Sequence, residues 1–183
     1  MNTIVNTDGR LRAYNTDYLA VAKLLADRQV SADRAVAVLG SGGMAKAVVA
    51  ALRDAGFQDG TVVARNPRSG AALAERYGYD WRAEVGASRP QLLVNATPVG
   101  MAGGPAADDL PVAAEVVDAA ATVLDVVAVP ALTPLVRRAR AQGTQVITGA
   151  EVIALQAVEQ FVLYTGVRPS DDQVRRASEF SRA

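Results

Sequence analysis

The sequence predicts an α/β fold: a doubly wound parallel sheet with helices on both faces. Three observations carry this. Short β-branched runs such as Val36-Ala37-Val38-Leu39 alternate with Ala-rich stretches of helical spacing. Continuous apolar strands of this kind are buried on both faces, as parallel strands are. A glycine-rich turn, Gly40-Ser41-Gly42-Gly43-Met44-Ala45, joins the first such strand to the first such helix.

That turn organises the chain. Gly40, Gly42 and Ala45 fit the G-x-G-x-x-G/A spacing of a Rossmann-type dinucleotide-binding turn, between the strand and the helix that the motif requires. Gly40 permits the tight turn, Gly42 removes a side chain where a pyrophosphate must approach, and Ala45 lets helix and strand pack closely. The N–H groups at the helix start then face the phosphates.

Composition narrows the chemistry. The 183 residues suffice for one full domain with a small appendage, and half of them are hydrophobic. Lys+Arg and Asp+Glu balance at 19 each, so no basic surplus points to nucleic acid or an anionic membrane. Without Cys or His there is no disulfide, thiolate nucleophile or imidazole base, and no metal site is expected. Acid–base chemistry falls to Asp, Glu, Lys or Tyr. No run is long enough to span a membrane and no signal-peptide pattern opens the chain, so a cytoplasmic protein is expected.

The elements follow in order. Asn2 to Asn6 and Leu11 to Tyr14 read as strands about a Thr7-Asp8-Gly9 turn. Asn15-Thr16-Asp17 precedes a helix that Thr16 or Asp17 is expected to cap. After the glycine turn a helix runs to Ala55 and stops at Gly56. Thr61 to Ala64 is the second strand, and Pro67 opens a helix closed by Gly78. Trp81 is expected in a connecting segment, as a packing residue. Gln91 to Asn95 and Thr122 to Val127 are strands, with a Gly/Pro-rich loop from Gly100 to Pro111 between them. A helix starts at Thr133-Pro134, a strand covers Thr144 to Ile147, and helices cover Ala150 to Thr165 and Asp171 to Phe180. The expected organisation is a junction segment with a linking helix (1–30), a dinucleotide-binding domain (31–150) and C-terminal helices packing back on the junction (151–183).

The second strand selects the dinucleotide. An NAD-type site carries an acidic residue at its end to hold the ribose hydroxyls. Ala64 and Arg65 stand there instead, followed by Asn66 and Arg68. A guanidinium pairs with a 2′-phosphate and stacks on adenine, which selects NADP.

Further motifs occur in order: Asn2-Thr3, Tyr14-Asn15-Thr16-Asp17, the glycine turn, Val94-Asn95-Ala96-Thr97-Pro98-Val99-Gly100-Met101, Thr133-Pro134-Leu135 and Leu155-Gln156-Ala157. Together they resemble the shikimate dehydrogenase family, from Asn2 to about Pro169. The resemblance implies an NADP-dependent oxidoreductase that interconverts 3-dehydroshikimate and shikimate, on the chorismate route to aromatic amino acids. It implies that Asp17 acts with a Lys of a preceding substrate domain on the reacting hydroxyl. It also implies that Asn2 and Gln156 contact the substrate. The cofactor set is then Gly40, Ser41, Gly42, Gly43, Met44, Ala45, Arg65, Asn66 and Arg68, with Thr97, Val99, Met101 and Val126 on the nicotinamide side.

Departures from the family pattern point to its shikimate dehydrogenase-like branch and to shikimate or a related hydroxy acid. Ala128 stands where a Tyr precedes Pro130, and Glu151-Val152 replaces a Gly-Met ahead of the long C-terminal helix. Neither Lys23 nor Lys46 matches the family's Lys. Met1 stands at the Val of a Val-Asn-Thr stretch, so an internal start or a fragment is expected, with NADP binding but little turnover. The alternative is a non-catalytic NADP-binding or oligomerising module. Reductases of the glutamyl-tRNA and methylene-tetrahydrofolate type lack the pairing of Tyr14-Asn15-Thr16-Asp17 with Gln156. Homo-oligomerisation through apolar surface near Asn2 to Tyr14 and the last helices is expected.

Overall fold

The computed structural model describes residues 1–180; the final three residues of the expected C-terminal segment lie outside them. Strands β1 (Thr3–Thr7) and β2 (Arg10–Tyr14) form an antiparallel hairpin. Asp8 and Gly9 both take positive φ, 51° and 81°, which suits the right-handed twist of a two-residue turn.

Helix α1 (Thr16–Asp27) follows, and its cap differs from the expectation. Asn15 is the cap, accepting the Tyr18 N–H at 3.3 Å. Thr16 and Asp17 are the first two helical residues. Any of the three polar residues has the chemistry of a cap. The choice is tertiary: Asn2 accepts the Thr16 N–H at 2.9 Å and buries Thr16 inside the helix start.

The remaining strands are β3 (Val36–Leu39), β4 (Gly60–Val63), β5 (Asp80–Arg82), β6 (Leu92–Asn95), β7 (Thr122–Asp125) and β8 (Gln145–Ile147). They form one parallel sheet in the order β5-β4-β3-β6-β7-β8. Successive strands are added outward in one sense from β3 and in the opposite sense from β6, the two lying parallel side by side, so a crevice opens beyond Leu39 and Asn95. The helices are α2 (Gly43–Asp54), α3 (Pro67–Tyr77), α4 (Ala114–Asp118), α5 (Pro134–Ala141), α6 (Gly149–Thr165) and α7 (Asp171–Phe180).

Alternation along the strands splits the core in two. Val36, Val38, Val62, Leu92, Val94 and Leu124 pack with α1, α2 and α3 on one face. Ala37, Leu39, Leu93 and Val123 pack with α4 and α5 on the other. Helix α1 lies against both α2 and α6.

Three sequence expectations change here. Trp81 belongs to a strand, β5, which adds to the sheet edge beside β4. It packs as expected: its indole N–H donates to the Ala64 carbonyl at 3.2 Å. A three-residue strand has too little alternation to announce itself; its partner strand defines it. The strand from Thr122 ends at Asp125, because the Asp125 carboxylate turns back to accept the Val127 N–H at 3.1 Å. Helix α6 begins at Gly149, so Glu151-Val152 lies in its first turn. Glu151 closes a capping box with Thr148 and pairs with Arg28, a use for the carboxylate that Gly would not supply.

Candidate functional site

The C-terminal edge of the sheet bears a groove of about 1320 Å³. Its floor is the glycine turn. Gly40 has φ +108°, and a Cβ there would stand 2.8 Å from the Ala96 carbonyl oxygen. The turn therefore lies hard against the loop after β6. Above Gly42 and Gly43 a Cβ would meet nothing within 4 Å. Space is open where backbone N–H groups emerge.

Helix ends explain the electrostatics. Asn15, Asn66, Thr133 and Thr148 cap α1, α3, α5 and α6 through side-chain oxygens. Helix α2 starts from Gly42 with no side-chain cap, so its first N–H groups stay open to an incoming acceptor. A pyrophosphate fits these open donors.

The groove brings together Gly40, Ser41, Gly42, Arg65, Asn66, Thr97, Val99 and Met101 of the expected cofactor set. The rest stand aside. Gly43, Met44 and Ala45 form the first turn of α2, with Ala45 fully buried against the strand layer. Arg68 is exposed on the first turn of α3. Val126 packs against the core just past β7. Among the described residues Arg65 and Arg68 make no hydrogen bond or ion pair. No carboxylate ends β4; Ala64 follows Val63 and is buried. Asn66 caps α3, accepting the Ser69 N–H, and the Ser69 hydroxyl lies 2.8 Å from that of Ser41. The glycine turn is thereby tied to the loop that carries Arg65. The groove also takes in Glu84, Val85 and Gly86 from the loop after β5, which the sequence reading left out.

Thr97 and Val99 are held from beneath. The Asn95 side-chain oxygen accepts from the Thr97 N–H at 3.1 Å and from its hydroxyl at 2.6 Å. The Asn95 amide donates to the Val99 carbonyl at 3.1 Å and to Asp125 Oδ1 at 3.0 Å. Asp125 Oδ2 accepts from the Thr133 hydroxyl at 2.6 Å. All three side chains are fully buried. Burial pushes the Asp125 carboxyl above the usual range, against the hydrogen bonds from Thr133, Val127 and Asn95.

The expected substrate-contact residues form a second cluster, away from the groove lining. The Thr16 hydroxyl lies 3.1 Å from both Asn2 Oδ1 and Gln156 Oε1 and has one proton to share between them. Thr3 donates to the same Asn2 oxygen, and Gln160 donates to Thr3. The amide nitrogens of Asn2 and Gln156 have no partner among the described residues, so two donors stand ready for hydroxyls. Asp17, next in chain to the linking Thr16, is half-buried and has no hydrogen-bond partner among the described residues. Thr3 and Thr16 entered the sequence reading only as motif residues and, for Thr16, as a cap, and Gln160 not at all; their adjacency exists only once the hairpin meets α6.

No family model matches the sequence. Individual proteins do. The shikimate dehydrogenase-like protein of Haemophilus influenzae is 48% identical across the whole of this chain and 67% of its own length. A solved structure of a shikimate 5-dehydrogenase-like protein superposes with a TM-score of 0.96 at 48% identity, over 98% of this chain and 67% of that one. The Thermus thermophilus shikimate 5-dehydrogenase, solved with NADP(H) and shikimate, gives a TM-score of 0.82 at 32% identity, over 96% of this chain and 66% of that one. The chain thus spans about two thirds of the length of these relatives.

Proposed function

The chain belongs to the shikimate dehydrogenase family, and from that premise we propose that its 183 residues form the NADP(H)-holding portion of an oxidoreductase of that type. One observation carries the reading. The uncapped start of α2 opens into a groove whose β4 rim offers Arg65 in place of a carboxylate. Free helix N–H groups suit a pyrophosphate, and an unpaired guanidinium suits a 2′-phosphate. The bound cofactor supplies the hydride at its nicotinamide C4. The chain supplies the rest. Gly40 to Met44 take the pyrophosphate, with Ala45 packed beneath them so that helix and strand approach closely, and Arg65, Asn66 and Arg68 take the adenosine phosphate. Thr97, Val99, Met101 and Val126 flank the nicotinamide.

On the substrate side, Asn2 and Gln156 offer their amide N–H groups to the hydroxyls of shikimate or a related hydroxy acid, and Asp17 holds the reacting hydroxyl. The resemblance assigns the proton partner of Asp17 to a Lys. Lys23 is committed to an ion pair with Asp27 at 2.8 Å, and Lys46 points to solvent from α2. The 183-residue chain by itself therefore binds NADP(H) with little or no turnover.

Calorimetric titration with NADP, NAD, shikimate and quinate tests this. NADP binding tighter than NAD, without hydroxy-acid binding, supports it. Preference for NAD, or turnover at a rate typical of the family, overturns it.

A second reading rests on surface. Ile4 and Leu11 of the hairpin and Ile153, Phe161 and Tyr164 of α6 are exposed. Such apolar faces favour self-association of a cytoplasmic NADP-binding module without catalysis. Light scattering on the pure chain distinguishes a monomer from a homo-oligomer.

A further inference from the structure

Asp125 is a buried ionisable group that the hydride chemistry leaves without a task. It ends β7 opposite Asn95 in the parallel ladder, and neither side chain reaches solvent. No cation pairs with it among the described residues; its partners are the Asn95 amide, the Val127 N–H and the Thr133 hydroxyl. A buried carboxylate held only by neutral donors is costly, and hydrophobic side chains of like volume would serve packing better. Its bonds all converge on chain segments that follow strand ends. Asn95, held by Asp125, grips Thr97 at two points and Val99 at one. The Thr133 hydroxyl, held by the other oxygen, accepts the Val136 N–H and starts α5. A Cβ on Gly100 would lie 3.2 Å from Thr133 Cβ, so the loop after β6 rests on that same cap.

We propose that Asp125 is a positioning residue for the nicotinamide end of the groove: through Asn95 it sets the Thr97–Val99 backbone against which the ring lies. The inference rests on the NADP reading above and adds a division of labour within it. The adenosine end is held by the glycine turn and Arg65, and it does not depend on Asp125. The nicotinamide end does. What the site requires is an acceptor facing Asn95 and Val127. An amide oxygen meets that need, and an amide nitrogen facing Thr133 finds a hydroxyl that also accepts.

The test uses the 183-residue chain, with NADPH and adenosine 2′,5′-bisphosphate as probes. Nicotinamide fluorescence reports the ring's surroundings, and calorimetry reports affinity. Asp125→Ala is expected to lose the fluorescence change on binding NADPH and to weaken NADPH by about tenfold, while its affinity for the bisphosphate stays within about twofold. Asp125→Asn is expected to keep both. Asn95→Ala, which removes the grip on Thr97 and Val99 itself, is expected to reproduce the selective loss; wild-type fluorescence and affinity in that variant overturn the proposal even if Asp125→Ala fails to fold. Wild-type fluorescence and affinity in a folded alanine variant overturn the proposal. So does an equal loss of both probes. A wild-type chain that binds neither probe overturns the NADP reading and this inference with it; one that binds both isolates the failure to Asp125.

Discussion

The Asn2 side-chain oxygen accepts the Thr16 backbone N–H at 2.9 Å, joining the edge of the hairpin to the first residue of α1. A backbone N–H can only donate, so this bond fixes the Asn2 amide with its nitrogen turned outward. The Thr16 hydroxyl, fully buried, extends the link to Gln156 on α6. Two amides that the family resemblance assigns to the substrate are thus held in line by one hydroxyl.

Replacing Thr16 by Val keeps the shape and removes the hydroxyl. The expected cost is about 1 kcal/mol, since the buried Thr16 hydroxyl loses its bonds to Asn2 and the half-buried Gln156. Urea unfolding measures it, and Thr16→Ser should recover most of the loss. Wild-type stability in the Val variant would mean that the hydroxyl is not shared with Gln156.

Arg65 offers a cleaner separation of stability from binding. It makes no bond among the described residues, so Arg65→Ala should leave the unfolding midpoint unchanged. Its expected effect is on the cofactor: NADP affinity falls by about 10- to 100-fold, the worth of a lost charge-assisted pair, while NAD affinity holds. Titrating both dinucleotides gives the ratio directly. Equal loss for both would place Arg65 on the shared part of the molecule.

How much of this was legible in the sequence depended on distance along the chain. The glycine turn is local, and Gly40, Gly42 and Ala45 announce both the turn and the helix behind it. The cap of α1 is equally local yet was misassigned, because Asn15, Thr16 and Asp17 all suit the position and Asn2 decides between them. Asn95 and Asp125 stand 30 residues apart. Only the register of β6 on β7 makes them neighbours, and no spacing rule carries that register. Strand β5 was hidden for the same reason, since β4 defines it.

Tyr79 gives a prediction in pH. Its hydroxyl donates to the Phe57 carbonyl at 3.0 Å in the core, and burial pushes the phenol up to about 12. The unfolded phenol ionises near pH 10. Between these values the folded chain holds the proton more tightly than the unfolded chain, so stability falls as pH rises from 10 toward 12. Tyr79→Phe should remove this part of the slope. At neutral pH it should cost about 1 kcal/mol, the worth of the lost bond, since the Phe57 carbonyl still accepts from Arg53 Nη1 at 3.4 Å. Unfolding curves for both proteins across alkaline pH check the sign; identical slopes would show that the phenol ionises as freely folded as unfolded.

The glycine turn yields a pair of substitutions with opposite outcomes. Gly40→Ala meets the Ala96 carbonyl oxygen at 2.8 Å and a φ of +108° that L-residues avoid, so the fold itself should weaken by about 2 kcal/mol or more. Gly42 has an ordinary extended backbone, φ −75° and ψ −170°, and open space around it. Gly42→Asp should therefore fold normally. Its carboxylate would cap α2 and complement the helix dipole, holding or raising stability by up to about 1 kcal/mol. The same carboxylate occupies the N–H groups proposed above for the pyrophosphate and repels its charge. NADP affinity should fall at least tenfold in a protein no less stable than the parent. Thermal melts and calorimetry on the same preparation separate the two effects. A Gly42→Asp chain that binds NADP as the parent does would move the pyrophosphate away from α2.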